Sequence, residues 1–151
     1  MFFLKSDELG NHLHSIIHKD TQQHETHFDL TIDTIHKFTK AGSLDFGGSE
    51  FEAAEKELIN PQKSQGDDYG WWNLPQGHYQ ATMNETVKEA EDTITYINLH
   101  PHARKAGIIA NTSMMPNQHD GKQITLNFFA PDPGCNIKEN ARFAVLYLLA
   151  S

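Results

Sequence analysis

The sequence predicts an all-β (mainly β) protein, and two features of the 151-residue chain carry this prediction. Short segments in which apolar and polar residues alternate are typical of strands with one buried face. Turn signals separate these segments about every 8–12 residues, which is typical of an antiparallel sandwich or barrel. One domain over residues 1–151 is expected, because a chain of this length buries a substantial core without staples.

The first predicted element is a short N-terminal amphipathic helix over residues 7–18. Ser6 is a candidate N-cap, two acidic residues follow in the first turn, and apolar residues recur at helical spacing as far as Ile17. From Phe28 the apolar residues alternate with Asp29 and other polar residues, which predicts a half-buried strand.

An irregular excursion from the domain body is expected at 41–70. Glycines at 42, 47 and 48 interrupt the chain, and loop signals return at Asn60-Pro61 and over 65–68. The charged run 50–58 between them fits either two helical turns or a charged extension.

Strands are expected to follow one another from Trp71 to Leu149. Asp120-Gly121 is a tight-turn dipeptide of the hairpin type, and the segment 131–134, Pro-Asp-Pro-Gly, is a second strong turn. After strands resume at Trp71, the predicted strands are 78–83, 94–99, 107–110, 122–129, in which Ile124, Leu126 and Phe128 share a face, and the apolar run 142–149.

Composition narrows the classes of function. Asp and Glu total 20 against 12 Lys and Arg, giving a net charge of −8, which argues against a nucleic-acid partner because neutralising phosphates dominates such binding. Cys135 is the only cysteine, so there is no disulfide framework and no CxxC metal site. No apolar run approaches membrane-spanning length, and the start of the chain lacks a signal-peptide pattern. A cytoplasmic protein without a membrane partner is expected.

The ten histidines do not form a recognisable metal motif. His14 and His18 would be neighbours on the predicted helix, but no HExxH pattern accompanies them, and His24 and His27 have no better case. These histidines are therefore expected to lie at the surface and to form no metal site. His100 and His102 could contact a ligand or a neighbouring subunit, or titrate near neutral pH.

Two further features are interpreted as structural. Trp71 and Trp72 are expected to pack in the core or an interface rather than to stack on a base. Cys135 has no paired base in the sequence, so no nucleophilic role is expected for it.

Six segments, taken in order along the chain, carry a family resemblance. They are SDEL (6–9), HFDLTI (27–32), LPQGHYQATMNET (74–86), HARKAGI (102–108), HDGKQITLNFFAP (119–131) and ENARFAVLYL (139–148). Together they resemble the dCTP deaminase and dUTPase superfamily, and its deaminase-like branch in particular. The resemblance implies a distorted antiparallel β-barrel, jelly-roll-like and of the dUTPase type. It also implies a homotrimer with nucleotide sites between subunits.

The family chemistry depends on residues that this chain replaces. The resemblance implies that a deaminase glutamate activating water would fall at Asn127, and that a positioning serine would fall near Pro101. An amide cannot act as a general base, and proline has neither a hydroxyl nor a backbone N–H. For a dUTPase, the resemblance implies an aspartate within 114–121, where only Asp120 is available, adjacent to the turn glycine.

The resemblance leaves two functions open. In the first, the chain binds a pyrimidine deoxynucleotide at subunit interfaces, with deamination of dCTP or pyrophosphate release from dUTP weak or lost. Mg²⁺ would then enter only with a triphosphate, and no tightly bound cofactor is expected. In the second, the chain is a non-catalytic trimeric scaffold that binds another protein or serves assembly or regulation. The nucleotide-binding candidates are the phosphate ligands Arg104 and Lys105 and the base or sugar ligands Asn111, Asn117 and Asn127.

Overall fold

The computed structural model describes residues 1–88, 90–116 and 122–151. Short helices and many strands form the regular structure of these residues, so the mainly β prediction is confirmed. The helices are α1 (Ser6–Gly10), α2 (Lys19–Gln22) and α3 (Pro101–Lys105). The strands are β1 (Phe2–Phe3), β2 (Leu13–His14), β3 (Phe28–Lys40), β4 (Glu55–Ile59), β5 (Trp71–Leu74), β6 (Gly77–Val87), β7 (Thr93–Leu99), β8 (Ile109–Ala110), β9 (Ser113–Pro116), β10 (Lys122–Ala130), β11 (Cys135–Lys138) and β12 (Arg142–Ala150).

One curled antiparallel sheet contains most of the strands. Its main path runs β8-β10-β6-β3-β12-β7-β9, while β1, β2 and β4 pair with β12, β6 and β3 respectively. Strands β5 and β11 form a separate pair. The long strand β3 lies at the centre, because its first half pairs with β12 and its second half pairs with β6 and β4.

The first half of β3 differs from the predicted half-buried strand. Phe28, Leu30 and Ile32 are fully buried, as their alternation predicts. Asp29 and Thr31 are buried as well, because side chains from other segments cover the second face of the strand. A buried polar network, described below, therefore replaces the expected solvent-facing side.

The predicted helix over 7–18 is wrong in its extent and its cap. Helix α1 ends at Gly10, and its N-cap is Lys5 rather than Ser6. Leu13 and His14 instead extend the sheet by pairing with β6, and the buried Gln22 side chain accepts hydrogen bonds from the backbone N–H groups of residues 17 and 18. The pairing with β6 and the Gln22 side-chain hydrogen bonds together outweigh the local helical pattern.

The segment 50–58 does not form helical turns. Strand β4 occupies its second half and pairs with the end of β3, and a bridge between Ser43 and Glu52 closes the preceding loop. The charged extension is therefore the better of the two expectations for this segment. Four of the five β4 side chains are exposed, so the strand adds an edge to the sheet without enlarging the core.

The second half of the chain follows the predicted strand pattern closely. Strand β10 buries Ile124, Leu126 and Phe128, as predicted. The predicted strand at 94–99 is present as β7, whose most buried positions are Thr93, Thr95, Ile97 and Leu99. The predicted turn at Asp120-Gly121 lies outside the described residues. Within the ranges that the structure describes, the helices are all too short to cross a membrane.

Candidate nucleotide site

The exposed side of strand β10 is the starting point, because Asn127 lies there. Gln123, Thr125 and Asn127 alternate with the buried apolar residues and face outward. The register places Asn127 beside Gln80 of β6, and Gln80 beside His36 of β3. We call the outward side of β3, β6 and β10 the outer face.

A chain of amide hydrogen bonds crosses the outer face. The Lys56 ammonium donates to Gln80 Oε1 at 2.6 Å, and Gln80 Nε2 donates to Asn127 Oδ1 at 3.0 Å. Asn127 therefore accepts through its oxygen, and its amide nitrogen has no partner among the described residues. The two N–H groups of the Asn127 amide can therefore donate to the carbonyl oxygens of a pyrimidine base.

An aromatic row lies next to these amides. His78 stacks on Phe129 with ring centroids 4.3 Å apart, and Phe38 lies 4.8 Å from His78 on the other side. Phe129 is 53% exposed, and Ile109, its register partner on β8, is 66% exposed. Flat apolar surfaces beside hydrogen-bonding amides suit a heteroaromatic base or a second protein surface.

An open groove of about 530 Å³ runs along this face. This volume lies within the range of roughly 300–1,000 Å³ typical of small-molecule sites. Residues 41 and 54, which flank the loop closed by Ser43 and Glu52, form part of its wall. Its other lining residues are Phe38, Thr39, Lys40, His78 and Asn127.

Helix α3 carries the two predicted phosphate ligands. Pro101 occupies the first turn, where its fixed φ favours helix initiation and its missing N–H is not needed. Arg104 and Lys105 lie in the last turn with exposed side chains. Neither residue lines the groove that contains Asn127.

The two predicted asparagine ligands besides Asn127 differ in their placement. Asn111 is exposed and follows Ala110, whose register partner on β10 is Phe128. It therefore continues β8 in the direction of Asn127. Asn117 lies outside the described residues.

A cluster of titratable side chains surrounds Asp29 at the other end of β3. The Asp29 side chain is only 1% exposed, and its Oδ2 lies 3.1 Å from both His24 Nε2 and Arg142 Nη1. His27 Nε2 is 3.9 Å from Oδ1, and His100 Nε2 is 3.6 Å from Oδ2. We call these five residues the Asp29 cluster.

Burial sets the protonation of two members of the Asp29 cluster. It lowers the pKa of His27, and the nearby His24 lowers it further, although Asp29 acts in the opposite direction. Burial likewise lowers the pKa of His100, again against the effect of Asp29. These two imidazoles are therefore neutral at pH 7.

His100 and His102 have different environments. His100 is buried and caps α3, with its Nδ1 accepting from the His102 backbone N–H at 3.0 Å and its other nitrogen directed at Asp29. His102 is exposed. Of this pair, only His102 is available to a ligand or to a neighbouring subunit.

Glu85 forms a second buried network beside the first half of β3. Its carboxylate accepts from the Thr31 backbone N–H, from the Thr31 hydroxyl and from Gln22 Nε2 at 2.6–2.8 Å. Burial raises the pKa of Glu85, while these hydrogen bonds oppose the rise. Glu85 is fully buried, and its hydrogen bonds tie α2 and β3 to β6.

The other residues considered from the sequence make contacts within the fold. Trp72 is buried and donates to the Ile59 carbonyl at 2.8 Å, whereas Trp71 is partly exposed beneath Lys138. Burial raises the pKa of Cys135, which keeps its thiol protonated. His14 lies on β2 and His18 caps α2, so the shared helix face expected for them does not form.

Comparison with known structures places the fold with the nucleotide deaminases. The chain matches the crystal structure of 2′-deoxycytidine 5′-triphosphate deaminase from Agrobacterium tumefaciens with a TM-score of 0.65 at 10% identity. The match covers 99% of this chain and 48% of the deaminase, so this chain spans about half of that protein's length.

Sequence comparison leads to the same superfamily. The chain is 24% identical over 130 residues to a probable deoxyuridine 5′-triphosphate nucleotidohydrolase of Archaeoglobus fulgidus, covering 86% of this chain and 73% of the relative. It is 23% identical over 134 residues to the protein of that name in Methanosarcina mazei, covering 89% and 75%. No family model matches the chain. The resemblance to the dCTP deaminase and dUTPase superfamily is confirmed, and the chain is a dUTPase- and dCTP deaminase-like protein.

Sequence reasoning missed the Asp29 cluster. The HFDL segment placed Asp29 on a strand, but nothing in the spacing indicated that His24, His27 and His100 converge on its carboxylate. One available signal was the density of histidines on either side of the strand, with two of them immediately before it.

Proposed function

We propose that this protein binds a pyrimidine deoxynucleotide at the outer face, between copies of the chain, with the usual family catalysis weak or lost. The observation that carries the proposal is the open groove lined by Asn127, Phe38 and His78, at whose edge Phe129 stacks on His78. Asn127 would donate to the base, and the Phe129–His78 pair would cover its ring.

The weak catalysis follows from the two replaced groups. A general base must accept a proton from water, and the Asn127 amide cannot do so. Pro101 has no hydroxyl, and it serves as the first residue of α3. Losing one acid–base group typically costs about 10²–10⁴ in rate, so two losses leave little deamination of dCTP or hydrolysis of dUTP.

A nucleotide that contacts both Asn127 and the predicted phosphate ligands Arg104 and Lys105 would require a second copy of the chain. Within one chain, Arg104 and Lys105 lie away from the lining of the Asn127 groove. In a homotrimer, α3 of one subunit could supply the phosphate ligands while the outer face of its neighbour holds the base. Mg²⁺ would accompany the triphosphate, and such a protein would act on the cytoplasmic nucleotide pool.

Calorimetry with dUTP, dCTP and dTTP in the presence of Mg²⁺ tests the proposal. We expect binding of at least one nucleotide, weakened about tenfold by Asn127→Ala, which corresponds to about 1.4 kcal/mol for one lost hydrogen bond to the ligand. Lys105→Ala should also weaken the binding of a nucleoside triphosphate, but it should change the affinity for the free nucleoside little. Gln123→Ala, on the same strand and also exposed, is the matched control. Absence of heat at millimolar nucleotide would contradict the proposal.

A non-catalytic scaffold that binds another protein is the second candidate. The exposed Ile109 and Phe129 side chains, next to the partly exposed Phe38, favour it, because exposed apolar surfaces mark protein interaction sites. Release of pyrophosphate from dUTP or ammonia from dCTP at enzyme-like rates would exclude it. Nucleotide binding without turnover would favour the first candidate.

A further inference from the structure

The Asp29 cluster contains an arrangement of side chains that the nucleotide proposal does not use. Ligand atoms of His24, His27 and Asp29 all lie within 4.8 Å of one another. The cluster is separate from the groove, since Asp29 and His36 are seven positions apart on β3, a rise of about 23 Å at roughly 3.3 Å per residue.

The two histidines are held in place by local backbone structure. A bridge pairs Gln23 with Phe28, and the His24 backbone N–H donates to the His27 carbonyl at 2.9 Å. This tight turn places the two imidazole rings side by side, with centroids 4.3 Å apart and planes 15° from parallel. Both Nε2 atoms therefore approach the same carboxylate, so their direction is fixed before any ligand arrives.

The buried carboxylate has an oxygen that accepts no hydrogen bond within the described part of the chain, although His27 Nε2 lies 3.9 Å from it. Arg142 and His24 both contact Asp29 Oδ2, whereas Oδ1 is buried and accepts no hydrogen bond from any residue that the structure describes. An unsatisfied carboxylate oxygen in the interior costs free energy, which a cation would recover. Arg142 on the second oxygen would then orient the carboxylate, as outer partners of metal ligands do.

We propose that His24, His27 and Asp29 bind a divalent transition metal ion, with Zn²⁺ as the best match. Two imidazoles and one carboxylate are a donor set that Zn²⁺ accepts, with a further position open to another ligand. Ligand atoms around a tetrahedral Zn²⁺ lie roughly 3.3 Å apart, so separations of up to 4.8 Å would shorten by at most about 1.5 Å through side-chain rotation.

The immediate surroundings also suit an ion. His24 and His27 are 40% and 33% exposed, which gives an ion a path from solvent to the buried oxygen. His100 lies 3.6 Å from the carboxylate, but its Nδ1 accepts a hydrogen bond, so its Nε2 carries the ring proton and is not a further ligand. The further position is therefore left to a ligand from solvent.

Zinc titration of the chelator-treated, dialysed protein without nucleotide tests this site. We expect one Zn²⁺ per chain by calorimetry, and d–d absorption of a low-coordinate site when Co²⁺ replaces it. His24→Ala and His27→Ala should each weaken binding at least about tenfold. His12→Ala, a histidine outside the cluster, should not. Mg²⁺ should not compete, because it prefers oxygen ligands.

The partly exposed side chains of His24 and His27 make both variants compatible with folding, which circular dichroism would verify. Zinc should also raise the melting temperature of the parent chain but not that of the double variant, because only the folded cluster binds the ion. A dissociation constant for Zn²⁺ above about 100 µM, which corresponds to a binding free energy weaker than about −5.5 kcal/mol, would overturn the proposal. Equal binding by the parent, His24→Ala and His27→Ala would overturn it as well. Either result would leave the nucleotide proposal intact.

Discussion

At the scale of single residues, Glu85 shows how a buried carboxylate can be structural rather than catalytic. Three donors from Thr31 and Gln22 satisfy its two oxygens. None of these partners lies on the outer face, and the side chain has no access to solvent. Its contribution is to hold α2, β3 and β6 together.

Replacement of Glu85 by Gln should destabilise the fold by about 1–3 kcal/mol at neutral pH. The new amide would place N–H groups against Gln22 Nε2, which is itself a donor. Urea unfolding measures the loss, and Glu57→Gln on the exposed strand β4 is the control, with an expected change within about 0.5 kcal/mol. Equal loss in both variants would show that the network contributes nothing specific.

The same carboxylate should make stability depend on pH. Because burial raises the pKa of Glu85, the folded state holds its proton more tightly than the unfolded state does. Its contribution to stability is therefore present below the ordinary pKa of a glutamate and is lost as pH rises through the raised value. We expect Glu85→Gln to flatten this part of the curve of unfolding free energy against pH. An unchanged slope in the variant would contradict the assignment.

Sequence reasoning was reliable for residues whose role depends on a local period. Asn127 is on the exposed side of β10 because strict alternation fixes it there. The Asp29 cluster was not predictable in this way, since its members come from α2–β3, α3 and β12 and meet only through the pairing of β3 with β12. Long-range register, not local pattern, creates that cluster.

At the scale of elements, the sheet divides into a protected centre and an added edge. Strand β12 is hydrogen-bonded to β3 on one side and β7 on the other, and most of its side chains are buried. Strand β4 pairs only with β3 in the described structure, and its side chains are mainly exposed. The two strands should therefore open with very different free energies.

Hydrogen exchange should reveal this division directly. Amides of residues 142–150 should exchange only through global unfolding, whereas those of residues 55–59 should exchange through local opening. Mass spectrometry of the two peptides measures the difference, with the central strand β6 as an internal reference. Equal protection of β4 and β12 would mean that the excursion at 41–70 is an integral part of the core.

The helical prediction over 7–18 failed for a reason that lies at this scale. Its apolar spacing is genuinely helical, but Leu13 completes the sheet core beside Val87. The error arises where packing against distant strands decides between local alternatives.

At the scale of the whole molecule, the fold is specified by many residues and not by the few proposed for the chemistry. The fold is that of a dCTP deaminase structure even though only 10% of residues are identical, because the apolar alternation and the turns are sufficient to specify it. Pro101 begins a short helix and Asn127 lies on the exposed side of β10, so the buried faces of the strands do not depend on either residue. The architecture predicted from the sequence is therefore confirmed, whereas the loss of the usual activity stays a prediction.

The outer face provides the last prediction, which concerns assembly. Phe129 and Ile109 are exposed apolar side chains beside the stacked His78 ring, and a second copy of the chain could cover this surface. We expect light scattering to give three times the 17.1 kDa chain mass.

Phe129→Asp should give monomers, because a buried, unpaired charge at an interface costs several kcal/mol. The exposed Phe51 supplies the control variant Phe51→Asp, which should remain trimeric. If Phe129→Asp assembled like the parent chain, the surface around Phe129 would face solvent in the oligomer and the shared nucleotide site would have to lie elsewhere.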